Sequence, residues 1–401
     1  MQEVLIRTNR QGQKECGNFS FPARPARYHH VETEDLTIHF SLAWRPIFLQ
    51  AKKCWPNPAE WLKISLSGRP LYYSSLGYGD LASLFHQFYV PIELGPQRDV
   101  SANNVNERVA AKLALSKMEA LAGANAGAEE KDPLWGKVIG GLRFWNRFFI
   151  VKFPSLLRAK VNVLPPDCML CDYDVFPVIL ATGCLYNCGF CRFKDGTDHS
   201  PRTKMEIESQ TDRLLHTLRD EKTMFKGVFF GNQDALGVSD ELIFYAIALV
   251  REKMPWIKNV FLFASADSLL KKDISFFSHL EESGLNYFIN VGIESVDETT
   301  VALLKKPVSK DRVMAAWHFI NLINQRFPQV EISLNILVNQ GLPHSHWTEL
   351  FELLHEETPF PKGTIYLVPF DEPIGRYFFN KAKAVRMATK RPVRIYNLIG
   401  L

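Results

Sequence analysis

From Tyr173 onward the chain alternates short apolar runs with amphipathic stretches. Val175–Ala181, Gly227–Phe230, Asn259–Ala264, Tyr287–Val291, Glu331–Val338 and Thr364–Pro369 carry the β-branched and aromatic residues of buried strands. Between them, helical spacing predicts helices at about Lys204–Arg219, Asp240–Lys253, Leu269–Ser283, Lys310–Gln325 and His346–His355. Six strands alternating with five helices predict an α/β fold with parallel strands and right-handed crossovers. Periodicity alone does not decide whether such a sheet closes.

Upstream the pattern is less regular. Residues 1–95 are aromatic-rich, with strand-like runs at Leu36–Leu42 and Pro70–Tyr73 and a helix expected at Pro58–Ile64. Residues 96–133 turn to Ala, Asn and charge, which predicts a helix at about Asn104–Leu121 followed by a linker. The segment 134–172 begins LWGKVIGGLRFWNRFFIVKFPSLLRAK, mixing Trp, Phe and aliphatics with basic residues. That composition suits a helix lying on anionic lipid or lining a hydrophobic tunnel. A helix packing its aromatic face on the barrel is the reading favoured here, because aromatic stripes are more often core. The alternating region is taken as 173–372, and a basic tail as 373–401.

Charge and cysteine usage narrow the class. Residues 133–166 hold six basic side chains and no acidic one, and residues 373–401 hold seven with none. Without these thirteen the formal net charge of +4 falls to −9, so an anionic partner, lipid surface or RNA, is expected at the basic segments. Solvated faces meeting acidic patches of the same fold account for the asymmetry equally well. No run of 18 apolar residues occurs and the first residues lack a signal-peptide core, so a cytoplasmic protein, peripheral to a membrane at most, is expected. Of seven cysteines, five lie within residues 168–191, a clustering that suits metal or redox chemistry rather than a disulfide framework.

The strongest motif is ATGCLYNCGFCRFKDG, with Cys184, Cys188 and Cys191 spaced C-x3-C-x2-C directly after a predicted strand. Three thiolates on one tight loop can hold three irons of a cubane and leave the fourth without a protein ligand. A zinc site competes with this reading on spacing alone. With Phe190 before its last cysteine, the loop resembles that of the radical S-adenosylmethionine (SAM) superfamily. The resemblance covers about 175–370 and implies a partial (β/α)6 TIM-like barrel of parallel strands, with the N-terminal part as an α+β extension. It implies a [4Fe–4S] cluster on Cys184, Cys188 and Cys191, whose open iron chelates SAM. One electron, from reduced flavodoxin or ferredoxin, then cleaves SAM to a 5′-deoxyadenosyl radical that abstracts hydrogen from a substrate.

Further segments extend the resemblance. VFFGNQDALG is similar to the stretch after the second barrel strand, placing Gly231, Asn232, Gln233 and Asp234 near the SAM amine. NVGIESVDETTVALLKK resembles the fourth-strand segment of the branch containing methylthiotransferases and the Elongator catalytic subunit, which carries over Gly292, Glu294 and Ser295. Glu294 would serve equally as a helix cap or an ion-pair partner. Ser265 ends the third strand as a candidate for the SAM carboxylate, and ISLNILVNQGLP places Asn335 and Leu342 near the adenine. No catalytic side chain is singled out.

Cys168 and Cys171 form a second pair. A second metal site shared with Cys16 and Cys54, a redox-active dithiol and a buried inert pair are all open to it. The competing function is a structural zinc or iron–sulfur electron-transfer protein; no fourth cysteine follows Cys191, which favours the open iron. Residues 1–165 lack D-x-H-x-x-G, which speaks against a cobalamin-dependent methyltransferase, and the extra N-terminal cysteines of methylthiotransferases are unmatched. A lipid or hydrophobic substrate is favoured over tRNA, although RNA would suit the charge.

Overall fold

The computed structural model describes residues 5–11, 27–34, 36–51, 60–64, 70–74, 89–91, 116–123, 133–148, 152–159, 161, 163–171, 173–186, 188–191, 198–357, 360–371 and 376–396. The chain divides into two units, Met1–Phe153 and Pro154–Ile399.

In the first unit, strands β1 (Leu5–Gln11), β2 (Arg27–Glu32), β3 (Leu36–Phe40), β4 (Pro46–Ala51), β5 (Glu60–Ile64), β6 (Pro70–Ser74) and β7 (Tyr89–Pro91) form an antiparallel sheet in chain order. The helix expected at Pro58–Ile64 is instead strand β5, paired with β4 and β6. Sheet pairing satisfies the backbone of so short a segment, whereas a lone helix of that length does not repay its nucleation. Helix α1 covers 116–123, the end of the helix expected at Asn104–Leu121, whose remainder lies outside the described residues, as do Cys16 and Cys54. Helix α2 (Pro133–Arg147) buries Trp135, Val138, Ile139 and Leu142 in one cluster with Val31, Ile38, Phe40 and Leu49 of the sheet. Helix α2 of the aromatic segment thus packs on the N-terminal sheet, a correction to the expected barrel contact. Its residues Lys137, Arg143 and Arg147 are exposed on the opposite side. Gly141 passes the Trp44 carbonyl where no Cβ would fit. Among the described residues no helix is long and apolar enough to cross a membrane.

The second unit holds a parallel sheet of seven strands in the order β16-β15-β14-β13-β12-β11-β8. These are β8 (Val175–Ile179), β11 (Gly227–Gly231), β12 (Asn259–Ala264), β13 (Asn286–Glu294), β14 (Val330–Val338), β15 (Ile365–Pro369) and β16 (Val393–Ile395). β8 and β16 are its free edges, so the barrel is open. Every residue of β8, β11 and β15 is buried, which explains why these strands read as continuous apolar runs rather than alternating ones. Two-residue strands β9 (Ala181–Thr182) and β10 (Ser200–Pro201) pair antiparallel at the exit of β8.

The crossover helices start at side-chain caps. Helix α3 (Lys204–Leu218) opens with a capping box, in which Glu206 N–H donates to Thr203 Oγ1 at 3.2 Å and Thr203 N–H donates to Glu206 Oε2 at 2.9 Å. Ser239 caps α4 (Asp240–Lys253). The single helix expected at Leu269–Ser283 is two, α5 (Ala266–Leu270) and α6 (Ile274–Glu282), because Asp273 caps a new start by accepting from Phe276 N–H at 2.9 Å. The short α7 (Glu298–Leu303), capped by Asp297, carries too few residues to show a period. Helices α8 (Lys310–Arg326) and α9 (His344–Glu356) lie where the pattern predicts them. The C-terminal basic segment is more than a tail, since it supplies helix α10 (Arg376–Ala388) and β16, which pairs with β15 through Ile365↔Val393 and Leu367↔Ile395.

Leu334 is fully buried on β14, between Val291 of β13 and Ile365 of β15. Leu334→Ala should cost about 3 kcal/mol through the cavity it leaves. A lower midpoint at unchanged slope in urea unfolding checks this.

Candidate active site

The carboxyl ends of the parallel strands surround a cleft enclosing about 1120 Å³, part of it open to solvent. The loop after β8 and β9 delivers Cys184, Cys188 and Cys191 to this cleft, with Phe190 beside them. The loop is held from outside: Gly189 N–H donates to the Lys305 carbonyl at 3.3 Å, and Tyr186 Oη donates to Asp267 Oδ2 at 2.6 Å. Gly189 lies so close to Lys305 that an added Cβ would stand 2.9 Å from the lysine Cβ. Asp267 is held in turn by Arg312.

As free thiols Cys184 and Cys188 stay protonated. Burial pushes Cys184 up to about 12 and Cys188 up to about 11, the latter against the pull of the Lys306 charge. A bound metal would be needed to hold them as thiolates. Among the described residues, no three His, Cys, Asp or Glu side chains are placed around a single metal ion. A cubane asks for a wider set, since each thiolate binds a different iron.

The walls carry polar groups at chosen points. Asp234 is 1 % exposed, and its Oδ1 accepts from Ser268 Oγ at 2.6 Å and Ser265 N–H at 3.0 Å. Its Oδ2 is buried without a partner and burial pushes the carboxyl up, so the cleft holds an acceptor that a bound donor would satisfy. Ser265 and Gln233 line the cleft beside it.

Glu294 ends β13 at φ +70°, a left-handed conformation that costs a non-glycine residue of order 1–2 kcal/mol. The strand bulges between Gly292 and Glu294 against β14, turning the carboxylate back over Gly292. A Cβ on Gly292 would meet Glu294 Oε1 at 2.6 Å, so a larger residue there would displace the carboxylate. Burial raises the Glu294 carboxyl, and Lys306, whose Nζ is 3.9 Å away, opposes that rise. Lys306 also donates to the Gly292 and Ile293 carbonyls, the latter at 3.2 Å.

The cleft thus gathers Phe190, Gln233, Asp234, Ser265, Gly292, Glu294 and Asn335 with the three cysteines. Four other candidates are placed elsewhere. The space beside Gly231 is taken by Ile179 and Phe229, and Asn232 is buried off the lining. Leu342 packs in an apolar cluster with Leu337 and Val368. Ser295 is fully buried and turns to His346 on α9. Sequence reasoning missed Lys306 and Tyr186, both on the lining. Lys306 follows Lys305 just past the end of α7, where no local pattern sets it apart.

Cys168 and Cys171 lie on a 3-10 turn, Pro166–Cys171, away from the cleft lining. Both are buried, Asn259 Nδ2 donates to Cys171 Sγ at 3.4 Å, and burial holds Cys168 protonated. Among the described residues they gather no further metal donor.

No family model and no curated relative matches the chain. Among solved structures it is similar to a radical SAM methyltransferase from Sphaerobacter thermophilus, at 13 % identity over 54 % of this chain and 65 % of that one, with a TM-score of 0.40. Coproporphyrinogen III oxidase from Escherichia coli, described as a radical SAM enzyme, matches at 14 % identity over 59 % of this chain and 50 % of its own, TM-score 0.35. Streptococcus suis SuiB bound to S-adenosylmethionine matches at 11 % over 85 % and 71 %, TM-score 0.35. The chain spans less than two thirds of the length of the first of these, at 65 %.

The Ser295 partner carries a pH signature. Ser295 Oγ donates to His346 Nδ1 at 2.8 Å and His346 Nε2–H donates to the Leu337 carbonyl at 3.0 Å, an arrangement of the neutral ring. Burial pushes His346 down from 6.5 to about 4. The unfolded chain therefore binds a proton that the native ring refuses, and stability present above about pH 6.5 is lost as pH falls toward 4. The loss should reach roughly 3 kcal/mol and be missing from His346→Gln. Unfolding midpoints of the two proteins, compared across that window, check it.

Proposed function

We infer that the chain is a radical SAM enzyme in which Cys184, Cys188 and Cys191 hold a [4Fe–4S] cluster and the cleft receives SAM. The observation carrying this reading is that all three thiols of the C-x3-C-x2-C loop open into the same cleft as Asp234, Glu294 and Asn335. When bound, the cluster and SAM supply the reductive carbon–sulfur cleavage and the 5′-deoxyadenosyl radical that takes hydrogen from a substrate.

The chain's own residues then have separable tasks. Asp234 Oδ2 accepts from the SAM ammonium, the donor its buried oxygen lacks in the protein alone. Lys306 keeps Glu294 charged and in place, and Glu294 accepts from the hydroxyls of the ribose. Val163, Phe263, Leu337, Val368, Phe370 and Tyr396 keep water from the reacting centre. That apolar wall also favours a hydrophobic substrate. The electron comes from a reduced flavodoxin or ferredoxin, and an anionic lipid surface meets the exposed basic side of α2.

Anaerobic reconstitution should give the absorption and electron paramagnetic resonance of a [4Fe–4S] cluster, lost when Cys184, Cys188 or Cys191 is replaced by Ala. With dithionite and SAM it should form 5′-deoxyadenosine. Asp234→Asn should retain the iron yet bind SAM roughly tenfold more weakly. A protein that takes up its cluster and never yields 5′-deoxyadenosine, or that holds one zinc instead, would sink this assignment.

A further inference from the structure

A file of polar side chains runs along the inner face of the barrel sheet and ends at the cleft. It starts at Asp167, 2 % exposed on the turn that fills this face. One carboxylate oxygen accepts from Tyr366 Oη at 2.8 Å and the other from Ser333 Oγ at 2.7 Å. A hydroxyl has one proton, so a Ser333 that donates to Asp167 must accept from its other neighbour. That neighbour is Asn290, whose Nδ2 lies 2.9 Å away. The nitrogen of Asn290 is therefore turned toward Ser333. It also donates to Asn335 Oδ1 at 3.1 Å, while Asn290 Oδ1 accepts from Asn335 Nδ2 at 2.8 Å. The two amides lie head to tail.

Direction follows from this pairing. Asn290 is in register with Ser333, and Asn335, in register with Gly292, lies one pleat nearer the carboxyl end of the sheet. With its oxygen beside the Asn290 nitrogen on the Ser333 side, Asn335 has its own nitrogen on the side away from Ser333, and the residue lines the cleft. An amide can exchange its oxygen and nitrogen by a half-turn at no cost in shape, so only its partners decide the orientation. Here the buried carboxylate breaks the tie from three side chains away.

We propose that Asp167, Ser333 and Asn290 are positioning residues that fix the Asn335 amide, so that it offers an N–H and not a carbonyl to an acceptor on the nucleoside part of the bound ligand. The identity of that ligand rests on the SAM reading. None of these side chains bonds to Cys184, Cys188 or Cys191, so the effect falls on ligand recognition and not on metal uptake.

The test is a double-mutant cycle on the anaerobically reconstituted protein, with S-adenosylhomocysteine as probe and calorimetric affinity as readout. Burial pushes Asp167 up to about 7, with Glu331 adding to the rise, so titrations run at about pH 8.5, where the carboxylate only accepts. Ser333→Ala frees the amides to turn over and should weaken binding roughly fivefold, and Asn335→Ala roughly tenfold or more. The double variant should bind no more weakly than Asn335→Ala alone, and Ser333→Thr, which keeps the hydroxyl, should restore affinity. Should Ser333→Ala fail to fold, Asn335→Asp carries the same question, because it exchanges the N–H for an oxygen at equal size and should bind as weakly as Asn335→Ala. Additive losses, a Ser333→Ala variant that binds as the wild type does, or an Asn335→Asp variant of undiminished affinity would each overturn the inference with the SAM reading intact. A wild type that takes up its cluster and does not bind S-adenosylhomocysteine overturns the SAM reading, and this inference falls with it.

Discussion

A parallel sheet that stops short of closing has an inner face with no second layer of strands to cover it, and the backbone there tolerates neither water nor an empty space. This chain meets that requirement with residues 163–171, which lay Val163 into the cleft wall and Asp167 between Ser333 and Tyr366. Tyr396 Oη, just past the last strand, donates to the Leu164 carbonyl at 2.7 Å and ties the same segment down from the other edge. The open end above this filling becomes the cleft. Strand ends, cysteine loop and polar lining are consequences of where the filling stops.

Buried charge is the second constraint. Asp234, Glu294 and Lys306 are each below 10 % exposed. Isolated carboxylates at such depth would take up protons, and each of these is supplied with a reason to stay ionised. Glu294 has the lysine charge, and Asp234 has two donors on one oxygen, its other oxygen being buried without a partner. The left-handed backbone at Glu294 shows the same economy, a local strain tolerated where it aims a carboxylate.

Much of the barrel was legible because its strands are buried on both faces and its helices begin at caps. Helix α4 is read to the residue from Ser239 and the apolar spacing after it. β16 was hidden by its neighbours, since Arg391 and Arg394 on either side of Val393 read as tail chemistry. Arg391 is in fact buried and paired with Glu357 at 2.6 Å, a long-range contact that no local pattern announces. The cysteine loop was visible as a spacing. Lys306 was not, because its importance comes from a bulge that brings Glu294 back toward it. Ser295 shows the converse: its place beside Glu294 suggested the cleft, yet it lies just past the end of β13 and bonds His346 of α9 instead.

The cysteine loop is fastened to two other parts of the barrel, at Gly189 to the Lys305 carbonyl and at Tyr186 to Asp267. Those ties are made by protein atoms alone. The conformational entropy of bringing the thiols to one cleft is therefore spent when the polypeptide folds, ahead of any metal. This sets an order of events opposite to that of a zinc finger, in which the ion organises the chain. The barrel is a finished vessel before it is filled, so a group held by these thiols could be lost and replaced without the chain having to fold again.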